Sequence, residues 1–264
     1  MNEFLVTANE ALEHSRATIN RYFRQRINVD NKADASPVTV ADQTTETLMR
    51  TVISERHPDH GILGEEHGVD QSDARFQWVI DPIDGTKSFI SGMPTFGTLL
   101  GLTDQASPKM GIIDMPILNE RWIGREGQVT THNGADCKVS DIQSLNKAIL
   151  YCTEPEMFNS TQLKEFERLS QKVQLRRFGG DCYCYGLLAS GHIDLVVEGN
   201  LKYYDVMALI PVVEGAGGII TDWKGKPLAN GWDGLVVAAA TPELHKEVLK
   251  VLSSYREHTI SVIE

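Results

Sequence analysis

Two carboxylates stand close together near the middle of the chain, at the end of an apolar run. Residues 78–89 read WVIDPIDGTKSF. The β-branched residues predict a buried strand, and this strand should end at Asp81 because Pro82 cannot donate to a continuing ladder. Asp84 follows in the same turn, and Gly85 beside it permits a positive φ or a close approach of the backbone to a ligand.

This turn offers the kind of ligand that hard cations such as Mg²⁺ prefer. The carboxylates of Asp81 and Asp84 and the carbonyl of Ile83 between them are oxygen ligands at close quarters. Thr86 adds a hydroxyl. The same residues also make an ordinary Asp-Pro turn closed by Asp-Gly, so the turn by itself leaves a metal site and a plain turn both open.

Four ordered motifs resemble the inositol monophosphatase family, a group of metal-dependent, lithium-sensitive phosphomonoesterases. They are KADASPVTVAD at residues 32–42, GEE at 64–66, the central run at 78–89, and YDVMA at 204–208 followed by EGAGG at 214–218. The resemblance implies the layered αβαβα sugar-phosphatase fold, within the α/β (α+β) class. It also implies about two or three Mg²⁺ ions per site, with Mn²⁺ as a substitute.

The resemblance assigns metal-binding roles to individual residues. Glu65 and Asp205 are implied to join Asp81, the carbonyl of Ile83 and Asp84 as ligands. Asp205 also has a local interpretation, since an acid in the first turn of a helix complements the helix dipole. The residue before Asp205 is Tyr204, where relatives commonly carry tryptophan.

Other residues are implied to act around the metals. In relatives the aspartate matching Asp42 pairs with the threonine matching Thr86 and helps to orient the attacking water, with Glu65 beside them. The spacing Thr39-x-x-Asp42 is equally that of a capping box. Lys32 matches a lysine near the metals or is a solvated loop residue, and Glu66 is either a neighbour of the site or an exposed acid.

The substrate is indicated where the central motif departs from the inositol phosphatases. From Lys87 onward the chain reads KSFISGMP, and this stretch, with RFGGDCY at 177–183 and GHIDLVVE at 191–198, is similar to the bacterial histidinol-phosphatase branch. The sequence therefore predicts hydrolysis of L-histidinol phosphate in histidine biosynthesis. An inositol 1-phosphate or phosphoadenosine-type nucleotide phosphatase is the alternative, since Lys87 also suits the latter, and a non-catalytic binding module is a third hypothesis.

Substrate contacts follow from the charge of histidinol phosphate. Its amine is cationic, so a selective pocket should place acids beyond the phosphate, and Asp181 and Glu198 are the candidates. Asp181 is alternatively a helix N-cap, and Glu198 an exposed acid at a strand end. Arg177 either approaches the phosphate or pairs with one of these acids. The remaining expected contacts, which include backbone amides that donate to the phosphate, are Asp84, Gly85, Thr86, Lys87 and Asp205.

Composition limits the class of protein. The chain has 264 residues, 41% of them apolar, and a net charge of −11, which argues against a nucleic-acid surface. Its four cysteines lack the spacing of a metal clip and are expected to be reduced. Residues 1–25 show no apolar run typical of a signal sequence or membrane span. We expect a cytoplasmic enzyme that hydrolyses small phosphate monoesters. From the resemblance, we also expect a homodimer.

The elements that must position these residues fall into two closely packed halves, 1–139 and 140–264. The first half should contain two amphipathic helices, followed by antiparallel strands at 95–102, 110–115 and 120–125. The second helix should turn Leu48, Met49, Val52 and Ile53 toward the core. Asn133-Gly134 is typical of a hairpin turn. In the second half, strands at 148–152, 174–178, 193–197, 218–222 and 234–239 alternate with helices at 160–171, 181–190, 204–216 (kinked at Pro211) and 241–254.

Overall fold

The chain folds into alternating layers of helices and sheets. The computed structural model describes residues 2–26, 28–31, 37–229 and 231–253, so Lys32 lies outside the described residues. Within them the helices are α1 (Asn2–Tyr22), α2 (Val40–Arg56), α3 (Thr86–Ser91), α4 (Ser160–Ser170), α5 (Tyr183–Ala189), α6 (Tyr203–Val206), α7 (Leu209–Gly215) and α8 (Pro242–Leu252). The strands are β1 (Val29–Asn31), β2 (Pro37–Thr39), β3 (Gly61–Gly64), β4 (Gly68–Asp70), β5 (Phe76–Asp84), β6 (Gly97–Asp104), β7 (Ser107–Met115), β8 (Glu120–Arg125), β9 (Thr131–His132), β10 (Ala135–Asp136), β11 (Ile149–Cys152), β12 (Leu175–Phe178), β13 (Leu195–Glu198), β14 (Ile219–Thr221) and β15 (Val236–Ala239).

Two sheets form the body of the molecule. The larger has eight strands in the order β10-β9-β8-β7-β6-β5-β3-β4 and is antiparallel except between β3 and β5. The smaller has the order β12-β11-β13-β15-β14, parallel from β12 to β13 and antiparallel beyond. The predicted antiparallel strands and the hairpin turn at Asn133-Gly134, where both residues have positive φ, are confirmed.

Alternating side chains on each strand bind the layers together. On β5, Trp78 and Ile80 pack against α1 and α2, whereas Val79 points to the opposite face and joins the core that contains α5 and α7. On β13, Val196 faces that same central core, and its neighbours Leu195 and Val197 pack with α4 and α8. The result is the layered αβαβα arrangement that the resemblance implied. The division into halves at residue 139 stays a prediction.

Strand β5 is longer than the sequence indicated. The prediction that it ends at Asp81 is wrong, because pairing with β6 resumes at Asp84 after a shift of register between the two aspartates. Asp81 pairs with Leu99 and Asp84 with Gly97, so Pro82 falls in the irregular stretch, where no ladder donor is required. The carbonyl of Pro82 accepts a 2.9 Å hydrogen bond from Thr98 Oγ1. The carboxylates therefore stand on a bulge within the sheet.

Three helices differ in detail from the prediction. The helix expected over 204–216 is two helices, α6 and α7, separated at Met207 and Ala208. Pro211 explains the break, because its ring would clash with the carbonyl four residues earlier, which is that of Met207. The helix expected from 181 begins at Tyr183. On α2, Met49, Val52 and Ile53 are buried as predicted, but Leu48 is 36% exposed, so its inward placement was wrong.

A row of glycines crosses the larger sheet. Gly101 on β6 pairs with Gly111 on β7, which pairs with Gly124 on β8. A Cβ at Gly111 would lie 1.9 Å from the carbonyl oxygen of Ala208, and one at Gly124 would lie 2.2 Å from that of Pro211. The backbone of the α6–α7 segment therefore packs directly on the sheet, which only glycine allows.

All four cysteines are free thiols. In the ranges that the structure describes, no helix combines the length and the apolar character that crossing a membrane would require.

Candidate metal and phosphate site

Three aspartates from two elements converge at one point. Asp81 and Asp84 stand on the bulge of β5, and Asp205 lies in the first turn of α6. One carboxylate oxygen from each lies within 4.8 Å of the others. The α6–α7 segment reaches the sheet because of the glycine row, so the packing of the central helices brings Asp205 to the bulge.

Backbone amides orient each carboxylate. Asp81 Oδ1 accepts from the N–H of Ile83 at 3.0 Å, and Asp205 Oδ2 accepts from the N–H of Lys202 at 2.6 Å, which caps α6. Asp84 Oδ2 accepts from the N–H of Cys182, across the interface between the two sheets. Among the described residues, no lysine or arginine forms a salt bridge with any of the three aspartates.

The clustered acids suppress one another's ionisation. Burial is the largest cause that raises the pKa of Asp81 and of Asp84 well above the usual range, and neighbouring carboxylates raise both further. The pKa of Asp205 is raised to about 7, chiefly by burial and also by the charges of Glu65 and Glu198. Uncompensated buried carboxylates with only oxygen atoms to offer fit a hard divalent cation, which would replace the missing positive charge. The donor set therefore fits Mg²⁺ or Mn²⁺.

Glu65 lies beside this cluster. Its negative charge raises the pKa of Asp81, Asp42 and Asp205, which places it within electrostatic reach of all three. Its backbone N–H donates to the carbonyl of Ile80 at 3.2 Å, so the residue continues the β3–β5 pairing. The tight group of three aspartates does not include its carboxylate.

The sequence analysis missed a residue that fixes the backbone directly after Glu65. Glu46 on α2 is fully buried, and its carboxylate accepts from the N–H groups of Glu66 and His67 and from Arg50 Nε. A side chain on Gly64 would collide with this carboxylate at 2.0 Å. The signal was present, since a glutamate stands among the inward positions of an amphipathic helix.

Asp42 completes the capping box of α2, and Thr86, its implied partner, forms its hydrogen bond elsewhere. Its Oδ2 accepts from the N–H of Thr39 at 2.9 Å and from Thr39 Oγ1 at 2.6 Å, which confirms the capping box. Thr86 Oγ1 instead donates to the carbonyl of Ile83 at 3.3 Å. The Asp42–Thr86 hydrogen bond implied by the resemblance is thus absent here. Asp42 Oδ1 is buried without a hydrogen-bond partner among the described residues, so it remains available to a further donor.

The turn at Gly85 packs closely against Asp181, which precedes α5. Gly85 has φ of 91°, and a Cβ there would lie 2.6 Å from the carboxyl carbon of Asp181. Thr86 begins α3 directly after it. Lys87 is mostly exposed and forms an ion pair with Glu154, which follows β11.

Asp181 is not a helix cap. It has a left-handed φ of 47° and its Oδ2 accepts a 2.6 Å hydrogen bond from Ser88 Oγ on α3, whereas Cys182 occupies the N-cap of α5 without a side-chain bond. The capping interpretation is therefore wrong. The left-handed turn explains the failure, because it aims Asp181 away from the helix that follows. Burial, the largest cause, raises the pKa of Asp181.

Glu198 is buried rather than exposed. It is 2% exposed, so the interpretation as a solvent-facing strand end is wrong. Its Oε1 accepts from the N–H and Oγ1 of Thr153 at 3.0 and 2.6 Å, and its Oε2 from the hydroxyl of Tyr185 at 2.7 Å. These partners were not foreseen, since Thr153 and Tyr185 lie far from Glu198 in the sequence.

Asp181 and Glu198 share a small cavity with two of the three clustered aspartates. It has a volume of about 70 Å³ and is bounded by Asp84, Asp205 and Tyr185 in addition to the two acids. Arg177 does not contribute: its side chain is exposed on the edge strand β12 and makes no hydrogen bond or ion pair with another described residue. The structure thus gathers four of the predicted acids around one space and leaves Arg177 outside.

Comparison with known proteins identifies relatives along the whole chain. A family model described as the inositol monophosphatase family matches residues 1–257. A chloroplastic bifunctional phosphatase of Arabidopsis thaliana is 44% identical over 96% of this chain and 75% of its own length. A histidinol-phosphatase of Mycobacterium tuberculosis is 33% identical, covering 95% of this chain and 96% of that protein. The structure of an inositol monophosphatase from Zymomonas mobilis superposes with a TM-score of 0.88 at 40% identity, over 96% of this chain and 98% of that one.

Proposed function

Since the chain belongs to the inositol monophosphatase family, we propose that it is a magnesium-dependent phosphatase that hydrolyses L-histidinol phosphate to L-histidinol and phosphate. The observation that carries this proposal is the cavity that Asp181 and Glu198 share with Asp84 and Asp205, two of the three clustered aspartates. A phosphate held at the cluster would place the cationic part of the substrate against these two acids.

The family is metal-dependent, and the residues suited to hold the cations are Asp81, Asp84, Asp205, Glu65 and the carbonyl of Ile83. When bound, about two or three Mg²⁺ ions would neutralise the charge of the phosphoryl group and lower the pKa of the attacking water. Phosphoryl transfer otherwise demands positioning more than covalent chemistry from the protein.

The chain's own residues would provide that positioning. The N–H groups of Gly85 and Thr86 would donate to phosphoryl oxygens at the turn after the bulge. Asp42, whose Oδ1 is buried without a partner among the described residues, would accept a hydrogen bond from the attacking water or from Thr86 once that hydroxyl releases the carbonyl of Ile83. Glu65 would accept the proton of the attacking water from the other side.

The relatives support the choice of substrate. The protein of Mycobacterium tuberculosis carries the name histidinol-phosphatase, whereas the structure from Zymomonas mobilis is that of an inositol monophosphatase. Hydrolysis of inositol 1-phosphate is therefore the alternative. It differs in a testable way, because inositol is neutral and gains nothing from acids beyond the phosphate.

A phosphate-release assay separates the candidates. We expect kcat/KM to be highest for histidinol phosphate when it is compared with inositol 1-phosphate and phosphoadenosine phosphate, and we expect activity with Mg²⁺ or Mn²⁺, loss in excess chelator and inhibition by lithium. A higher kcat/KM for inositol 1-phosphate would overturn the substrate, and full turnover in chelator would overturn the metal.

Asp181→Asn tests the specificity directly. The amide oxygen can still accept from Ser88 Oγ, so the turn should keep its shape while the negative charge is lost. We expect kcat/KM for histidinol phosphate to fall by ~10–100-fold, the scale of a charged hydrogen bond, with little change for a neutral-alcohol phosphate ester. Ser88→Ala is the matched control, because it removes the hydrogen bond and keeps the charge. Equal losses on both esters for Asp181→Asn would mean that Asp181 serves the fold.

We further propose a homodimer, which the resemblance implies, located in the cytoplasm, as the reduced cysteines suggest. Light scattering at micromolar protein should give twice the mass of the chain, and a monomeric mass would contradict the proposal.

A further inference from the structure

A second polar cavity lies on the edge of the larger sheet, where α1 crosses the strands. Its volume is about 430 Å³, a size typical of small-molecule sites. Its walls come from α1, β8, the β7–β8 turn and the β9–β10 turn, and the lining residues are Asn9, Arg16, Asn119, Arg121, Ile123 and Asn133, with Gly134 at the rim. None of them belongs to the carboxylate cluster or its cavity.

Two arginines are fixed in this cavity by one buried acid. Asp114 on β7 is fully buried, and Arg16 approaches it with Nε at 2.8 Å and Nη2 at 2.7 Å. Arg121 Nε donates to the same carboxylate at 2.6 Å. Because both side chains are only 14–17% exposed, the guanidinium groups are held rigidly before any ligand arrives.

The other ends of the guanidinium groups retain unused donors. Arg16 Nη1 gives one hydrogen to Asn119 Oδ1, Arg121 Nη1 gives one to Asn9 Oδ1, and Arg121 Nη2 gives one to Glu13 Oε1. Each of these nitrogens carries a second hydrogen.

The asparagines add to the excess of donors. Their oxygens are occupied, since Asn133 Oδ1 accepts from the N–H of Arg121 and those of Asn9 and Asn119 accept from the arginines. The side-chain NH₂ groups of Asn9 and Asn119 make no hydrogen bond to another described residue, so these donors are free. The cavity is therefore rich in donors, while most of the acceptors at its wall are already used.

The local charge does not oppose an anion. The charges of Arg16 and Arg121 are balanced by those of Asp114 and Glu13, and Glu13, whose side chain is 66% exposed, is screened by water. Donors that arrive from α1, β8 and the β7–β8 turn approach from different directions. Such an arrangement suits the three terminal oxygens of a phosphate better than a planar carboxylate.

We propose that the Arg16–Arg121 cavity is a binding site for the phosphate group of a small phosphorylated metabolite, distinct from the metal site. The volume exceeds that of a phosphate, so the body of the ligand would extend past Ile123 toward Gly134, where a Cβ would meet no atom within 4 Å.

Calorimetry with inorganic phosphate on chelator-treated protein tests the proposal, because the metal-free carboxylate cluster repels phosphate. The variants are Asn9→Asp and Asn119→Asp. In each, a carboxylate oxygen keeps the bond to the arginine and so preserves the fold, but the amide donors are replaced by a negative charge. Asn146→Asp is the matched control, since Asn146 is exposed and lies outside the cavity. We expect saturable binding that weakens by ~10-fold or more in each cavity variant and is unchanged in the control.

Side-chain amide resonances of Asn9 and Asn119 should shift on addition of phosphate in the wild-type protein. The proposal is overturned if phosphate fails to bind through the millimolar range, or if both cavity variants bind it as tightly as the control does. Acetate that competes as well as phosphate would overturn the assignment to a phosphate group.

Discussion

At the scale of single residues, the clustered aspartates, which are the proposed metal ligands, destabilise the fold when no cation is bound. Asp84 and Asp205 are half-buried beside other acids and have a raised pKa, so each ionised carboxylate costs folding free energy that a cation would restore. Asp84→Asn and Asp205→Asn keep an oxygen for the N–H of Cys182 or Lys202. We expect hydrolysis to fall by ~100-fold or more in each, since metal-borne charge stabilisation is worth several kcal/mol.

Thermal unfolding provides the control for these variants. Without metal, both should melt at or above the temperature of the wild-type protein, and Mg²⁺ should raise their melting temperature less. A variant that keeps normal kcat would show that its aspartate is only a turn or helix-start acid. A variant that unfolds without metal would show that its effect on activity is structural.

The titration of Asp205 predicts how metal binding depends on pH. Its pKa is about 7 in the folded protein, above the ordinary value for aspartate. The folded state therefore holds a proton that the unfolded state releases, and this contribution to stability is lost as the pH rises through about 7. If Mg²⁺ binds at Asp205 as proposed, it replaces that proton, so its stabilising effect should grow as the pH rises.

Differential scanning at about pH 6 and about pH 8, with and without Mg²⁺, measures this effect. The shift of the melting temperature by Mg²⁺ should be larger at the higher pH, and calorimetry should detect proton release on binding near neutral pH. An equal shift at both values would contradict a raised pKa at the site.

How far the sequence predicts individual residues depends on whether their partners are local. The pairing of Thr39 with Asp42 follows from a spacing of three residues, and the structure confirms it. Asp181 and Glu198 could not be assigned in this way, because Ser88 and Tyr185 come from other elements and no local pattern indicates them. Their burial is a product of the tertiary fold.

At the scale of elements, patterns of hydrophobicity predicted most strands and helices, and the exceptions have identifiable causes. The strand through Asp81 continues because a bulge accommodates Pro82, and this depends on Thr98 of β6 as a donor. A propensity for strand or turn says nothing about a donor on the neighbouring strand. Likewise, Pro211 predicted a kink, but only the packing on the glycine row shows that the helix divides completely.

The capping box of α2 gives a prediction for an element. Thr39→Ala removes the hydroxyl that accepts from the N–H of Ala41 and donates to the buried carboxylate of Asp42. We expect a loss of about 1 kcal/mol, within the usual range of ~0.5–2 kcal/mol for an N-cap, as measured by urea unfolding. Thr51→Ala on the exposed face of the same helix is the matched control and should not destabilise, since the hydroxyl bonds to the carbonyl of Thr47 in that helix and alanine is the better helix former. Equal effects would show that the cap contributes nothing particular.

At the scale of the whole molecule, the site depends on the distance between layers. Asp205 reaches the bulge of β5 because the segment that follows it lies directly on Gly111 and Gly124. The sequence indicates this close packing in part, since glycines inside strands often mark a close approach of another backbone. Strand periodicity alone could not show that three of them align across β6, β7 and β8, because their alignment depends on the register.

Gly111→Ala tests whether layer spacing controls the site. The new Cβ would lie 1.9 Å from the carbonyl oxygen of Ala208, so the α6–α7 segment must move away from the sheet and take Asp205 with it. We expect a loss of stability at the upper end of the ~1–3 kcal/mol typical of overpacking, together with weaker stabilisation by Mg²⁺. Gly101→Ala is the graded control from the same row, because its Cβ would meet no atom closer than 3.2 Å and the neighbouring backbone need shift only slightly. Urea unfolding with and without Mg²⁺ should therefore rank Gly111→Ala well below Gly101→Ala in both stability and response to the metal. If Gly111→Ala lost stability but responded fully to Mg²⁺, the spacing of the layers would support the fold without setting the position of Asp205.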